Sequence, residues 1–207
     1  MEKKYRLLEN DTKKVNGKTL YRIEALRDFA DVKKGDKGGY VEKEENLSHE
    51  GSCWVYGKAR VSGNAEIYGN AEICGNAWVC GKARVYGDAC VFGNAEIYGN
   101  ARVSGNARVS GNARVSGNAE IYGNAEVYGD AEVRFTRDYV VLKNIWSSGR
   151  YFTYTRSNKM WKVGCFYGTG EELIKKAYKD SEVSGREYKR VVEYVEAMYA
   201  DLEKEKE

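Results

Sequence analysis

Residues 93–116 read GNAEIY-GNARVS-GNARVS-GNARVS, and this hexapeptide decides the fold. Working outward in both directions, glycine recurs at 51, 57, 63, 69, 75, 81, 87, 93, 99, 105, 111, 117, 123 and 129 without a skipped step. In these fourteen hexads the third residue is Ala in all but Cys53, and the fifth is Val or Ile from Val55 to Val133. Six is not a helical period. Positions three and five lie two apart and share one side of an extended chain, so the pattern predicts a short strand with Ala and Val/Ile turned inward. Position four then points outward, and it carries residues such as Arg60, Glu66, Glu72, Arg84 and Glu96. Gly followed by Asn reaches positive φ at little cost, so each hexad ends in a corner. Strand, corner, strand is a solenoid.

The remaining composition fits that picture. In 207 residues, 42% are hydrophobic and 31% charged, a globular balance. The corners account for most of the 23 glycines, and the absence of proline excludes collagen-like segments and rigid Pro linkers. The opening MEKKYRLLEN has no apolar run behind it, so an unexported, cytoplasmic chain without membrane contact is expected. Five cysteines without framework spacing suit reduced thiols.

The hexads resemble those of the bacterial hexapeptide-repeat proteins. The resemblance implies a mainly β chain, a left-handed parallel β-helix with three hexads per coil. Residues 51–134 would then make roughly 4.7 coils of eighteen residues. Residues eighteen apart become stacked neighbours, and the outward charges largely pair: Glu66 with Arg84, Arg102 with Glu120, Glu96 with Arg114, Arg114 with Glu132 and Arg108 with Glu126. Arg84 against Arg102 is the exception. The segment is neutral, eight basic against eight acidic residues, which argues against a groove for extended nucleic acid. Many hexapeptide-repeat proteins are trimers. The most apolar face here carries Trp54, Tyr56, Cys74, Cys90, Phe92 and Tyr128, and we expect homo-oligomer contacts, a trimer favoured, through Trp54, Tyr56, Cys74, Cys90 and Phe92.

Residues 1–50 read as an N-terminal β cap: strands at Tyr5–Leu8 and Leu20–Leu26 around an Asn16-Gly17 turn, then a degenerate first coil with Val41 and Leu47 inward. The G-G-Y-V-E and N-L-S-H-E-G segments at 38–42 and 46–51 resemble uncharacterised phage and prophage members of the repeat group, which implies a role in host takeover or counter-defence. Residues 135–207 change character and predict a small α+β module. Three strands are expected at Tyr139–Trp146, Tyr151–Arg156 and Lys159–Phe166, separated by Ser147-Ser148-Gly149 and Ser157-Asn158. Two helices follow, with capping boxes at Thr169/Glu172 and Ser184/Glu187, the second helix presenting Tyr188, Val191, Val192, Val195, Met198, Tyr199 and Leu202 on one face.

Candidate chemistry is sparse. The best-known relatives of such a coil are acyltransferases with a histidine base; the single histidine, His49, precedes the regular hexads, and no hexad is interrupted by the loop that those enzymes use. No catalytic residue is therefore assigned, no cofactor is expected, and the cysteines lack metal-ligand spacing. Binding remains. Residues 137–162 hold six basic side chains against Asp138 alone, interleaved with aromatics. Arg150, Tyr154, Arg156, Lys159, Trp161 and Lys162 are the candidate ligand residues, since a ring beside a guanidinium stacks a base or sugar and holds a phosphate. The alternative is that Phe152, Tyr154 and Trp161 form the module's own core. The expected partner is a small anionic, nucleotide-like ligand or a host protein, with acyl transfer or a purely structural scaffold as further alternatives.

Overall fold

The computed structural model describes residues 2–145 and 149–204. They fall into two compact units, Met1–Thr136 and Arg137–Glu207. The first unit is a β-solenoid of about five turns. Strands β1 (Tyr5–Val15), β2 (Lys18–Ala25) and β3 (Lys37–Val41) precede fourteen described two-residue strands, β4 (Trp54–Val55) to β17 (Glu132–Val133), which start six residues apart. Those from β4 to β14 each pair in parallel with the strand eighteen residues on, as in Glu66↔Arg84, Cys90↔Arg108 and Arg114↔Glu132. Three sheets result: β4, β7, β10, β13 and β16 in one, β6, β9, β12 and β15 in another, and β5, β8, β11, β14 and β17 in a third that continues into β3, β2 and β1.

The interior is Ala and Val/Ile, essentially all solvent-free, which is why the chain repeats those types with so little variation. The corners need glycine twice over. Gly111 sits at φ +75°, and a Cβ there would stand 2.8 Å from the Gly129 nitrogen of the next lap. Along one corner the residues after the glycines form a side-chain ladder, Asn76 to Asn94 to Asn112 to Asp130 at 3.1, 3.0 and 2.9 Å. Of the outward pairs, Glu66–Arg84, Arg102–Glu120, Glu96–Arg114 and Arg114–Glu132 lie within 3.0, 2.9, 3.7 and 3.3 Å.

At the N-terminal end, Asn16 (φ 48°) and Gly17 (φ 77°) make the hairpin turn. The strand β1 runs to Val15, well past Leu8, with an irregularity between Leu8 and Thr12. Val41 pairs with Val61 and Leu47 bridges Ile67, offsets of twenty, because eight residues and not six separate the inward Leu47 from the inward Val55. This cap corrects one expectation. Trp54 is 1% exposed: Phe29 and Tyr5 pack their rings against it at 5.3 and 6.1 Å, so it points out of the solenoid into the cap and is unavailable to a second subunit.

The second unit is a four-stranded antiparallel sheet, β18 (Tyr139–Lys143), β19 (Tyr151–Thr155), β20 (Met160–Val163) and β21 (Phe166–Gly168), backed by α1 (Gly170–Asp180) and α2 (Glu182–Lys204). The expected third strand is split by Gly164 at φ 55°, which adds β21. The expected Trp146 and Ser147-Ser148 lie outside the described residues. The first capping box stands: Thr169 Oγ1 accepts from the Glu172 N–H at 3.3 Å. The second does not, since Ser184 lies inside α2 and the cap is Ser181, whose Oγ accepts the Ser184 N–H at 3.0 Å. Among the described residues no helix is long and apolar enough to cross a membrane.

Candidate functional site

Strand β19 alternates, so Phe152, Tyr154 and Arg156 share one side. Phe152 and Tyr154 are buried in the core with Trp161, Val163, Leu173, Val192, Val195 and Tyr199. The same alternation carries Arg156, just beyond the strand, to the rim. In α2, Glu196, Tyr199 and Glu203 recur at three and four residues and so line up on one helical face. Gly170, first in α1, lets the two helices meet closely: a Cβ there would lie 2.4 Å from Glu196 Oε1 and 2.5 Å from Val192 Cγ1.

Between the sheet edge and the helices lies a cleft of about 380 Å3, lined by Tyr154, Arg156, Lys159, Thr169, Gly170, Glu171, Glu196, Tyr199, Ala200 and Glu203. The Arg156 guanidinium lies 5.8 Å from the Tyr199 ring centroid and 3.3 Å from Glu203 Oε1. Trp161 Nε1 donates to Glu196 Oε1 at 3.4 Å from behind the wall, and the Tyr199 hydroxyl donates to the Arg137 carbonyl at 2.9 Å. Lys159 is held at φ 54°, a left-handed conformation that costs a lysine about 1–2 kcal/mol. Burial, reinforced for Tyr154 by Glu196 and Glu203, pushes the phenols of Tyr154 and Tyr199 up to about 12.

Of the six expected ligand residues, the structure brings Tyr154, Arg156 and Lys159 together. Trp161 is fully buried and serves as core behind the cleft, since the helices close over that face of the sheet. Arg150 and Lys162 do not line the cleft: the Lys162 side chain bonds the Gly164 carbonyl, and the Arg150 chain packs beside Gly164. Glu171, Glu196, Tyr199 and Glu203 were missed. The spacing of the last three was a usable signal, a polar edge running beside the apolar stripe of α2.

His49 is occupied. Its Nδ1 accepts the Lys4 backbone N–H at 3.0 Å, so the ring proton is on Nε2, 2.7 Å from Glu44 Oε1, and the ring stacks on Tyr5 at 4.4 Å. Neither nitrogen has a lone pair to offer a substrate. Lys4 extends the same latch, its buried ammonium reaching the Cys53 carbonyl at 2.8 Å and Sγ at 3.3 Å. Burial lowers the Lys4 pKa and raises that of Cys53. On the solenoid, Tyr56 donates to Asp31 at 2.8 Å, while Cys74, Cys90 and Phe92 lie on the sheet of β4, β7, β10, β13 and β16, with Arg108 5.5 Å from the Phe92 ring. Among the described residues no three His, Cys, Asp or Glu side chains converge as metal ligands.

These laps and their parallel register define a β-solenoid repeat protein. The family of the YdcK beta solenoid repeat matches residues 95–111 and 107–120. Over 48 residues the chain is 44% identical to a protein of Escherichia coli (strain K12) named "Uncharacterized acetyltransferase YdcK". That stretch is 23% of this chain and 14% of the relative, so the similarity covers a short part of each.

Proposed function

We propose that the protein is a non-catalytic binding protein in which the solenoid is a stem and the C-terminal unit carries a cleft for a small ligand with an anionic group. The cleft is the observation that supports it: Arg156 and Lys159 stand beside two tyrosine walls in a space large enough for a nucleotide or sugar phosphate. Three carboxylates share the lining, and Glu203 already holds Arg156. An incoming phosphate therefore displaces Glu203, and its ring or sugar lies along Tyr154 and Tyr199. In this proposal the stem winds left-handed, as its hexads imply, and the five free thiols suit a reducing cytoplasm. Self-association would use the sheet bearing Cys74, Cys90 and Phe92. An acyltransferase is the alternative raised by the relative's name, and it would need a base other than His49.

The test is equilibrium binding of nucleoside monophosphates and sugar phosphates to the full chain. Arg156→Gln should weaken any binding compound at least about tenfold, the loss of a charge-assisted contact. Glu203→Gln, which removes the competitor, should strengthen it several-fold. If no such compound binds, or if the two variants behave alike, the cleft is not an anion site.

A further inference from the structure

One inward position departs from the repeat. The third residue of each hexad is Ala except in the first, where it is Cys53. The Cys53 side chain is closed to solvent, and the equally buried Lys4 lies against it, Nζ standing 3.3 Å from Sγ. Lys4 is held there from several sides. Its backbone N–H donates to His49 Nδ1 at 3.0 Å, its Nζ donates to the Cys53 and Gly51 carbonyls at 2.8 and 3.4 Å, and the Phe29 ring centroid lies 5.0 Å from the same nitrogen. Sulfur and nitrogen are thus in contact, from strands of the chain 49 residues apart. Burial lowers the pKa of Lys4 and raises that of Cys53, so both shifts favour the free amine and the thiol over a buried ion pair.

We propose that Lys4 and Cys53 form an oxidative cross-linking site, at which a hydroperoxide drives a sulfur–nitrogen bond between the cap and the first hexad. The pair is closed to solvent, so peroxide meets Cys53 in molecules whose cap has opened locally. The Cys53 sulfur attacks a peroxide oxygen; an S–O bond forms, the O–O bond breaks, and hydroxide leaves as water with the thiol proton. Closure of the cap returns the Lys4 amine to the sulfenic sulfur. The nitrogen attacks; an S–N bond forms, the S–O bond breaks, and hydroxide leaves as water with one N–H proton. Two electrons pass from sulfur to peroxide, and thiol, amine and hydrogen peroxide become a sulfenamide and two waters. A sulfenic acid condenses with a nitrogen held against it, and a thiol reverses the product. The amine contact makes this fate of Cys53 different from that of the exposed Cys165.

The full chain is treated with excess hydrogen peroxide, quenched with catalase, blocked with iodoacetamide in denaturant, digested with trypsin and mapped by mass. The cross-link protects Lys4 from trypsin and joins residues 4–6 to residues 44–58 in one species, lighter by two hydrogens than the separate peptides. We expect that species from the folded protein, none from protein oxidised in guanidinium chloride, and its loss on treatment with dithiothreitol. The cross-linked protein should also unfold at a higher denaturant concentration than the reduced one, because the bond closes a span of 49 residues. Cys53→Ala, which installs the residue of the other hexads, should remove the species, and Lys4→Gln should leave a sulfenic acid on Cys53 that a cyclic dione traps. Oxidised Cys53 in a protein that trypsin still cuts after Lys4 overturns the proposal, as does an intact Cys53 thiol once Cys165 is fully oxidised. The map of the unaltered chain decides the matter even if a variant does not fold.

Discussion

Tyr154 and Tyr199 carry both structure and site. Their rings lie 5.3 Å apart in the core, both residues line the cleft, and burial holds both phenols up to about 12. A phenol whose pKa is raised on folding contributes stability that is fully present below its unfolded value near 10 and is lost as pH rises through the folded value. The second unit is therefore expected to weaken between about pH 10 and 12. In an ultraviolet titration, Tyr199→Phe should remove one of the steps near pH 12. Ionisation of both phenols well below pH 10, with the protein still folded, would contradict their burial. Trp54 shows what residue-level pattern leaves out. Position four of its hexad does face away from the solenoid axis, as alternation dictates, yet nothing local tells that Phe29 and Tyr5 cover it from a distant hairpin.

Among elements, the solenoid strands were legible because one six-residue rule is obeyed fourteen times, and the Asn16-Gly17 turn because its conformation demands those residues. The C-terminal unit was harder. Its strands and helices obey rules that several nearby residues satisfy, and Ser184/Glu187 mimics a cap that Ser181 in fact makes. Ser181→Ala should cost about 1 kcal/mol of stability in that unit, whereas Ser184→Ala should change it by a few tenths at most. Chemical denaturation of both variants checks this, and equal losses would return the cap to Ser184. The candidate cleft was half visible: β19 gave Tyr154 and Arg156 from its own alternation, but the carboxylates come from the helices, Glu171 from α1 and Glu196 and Glu203 from α2, which meet the sheet only in three dimensions.

For the solenoid as a whole, the three faces are equivalent inside, since the inward residues are Ala and Val/Ile on each. Length is therefore adjustable. Deleting residues 93–110, one full lap, brings Arg84 beside Glu120, whereas deleting residues 99–104, a third of a lap, sets Glu96 against Glu120. Both proteins should fold, with the like-charged register less stable by about 1 kcal/mol or less, because exposed pairs carry only tenths each. The full-lap deletion should also lower the denaturant dependence of unfolding in proportion to the surface no longer buried. A collapse of the six-residue deletion variant would mean that the faces are distinguished by something other than their surface charges.

The three copies of GNARVS from Gly99 to Ser116 have a consequence for how the chain finds its thread. Identical rungs cannot tell the winding which of them comes first, so slippage by one rung would go unnoticed from within. The Lys4 ammonium meets the carbonyl of Cys53, the one hexad whose third residue is not alanine, and His49 ties down the same strand. That corner acts like the pin and box at the foot of a zip fastener: teeth that are all alike close in the right order because the starting end alone is unique.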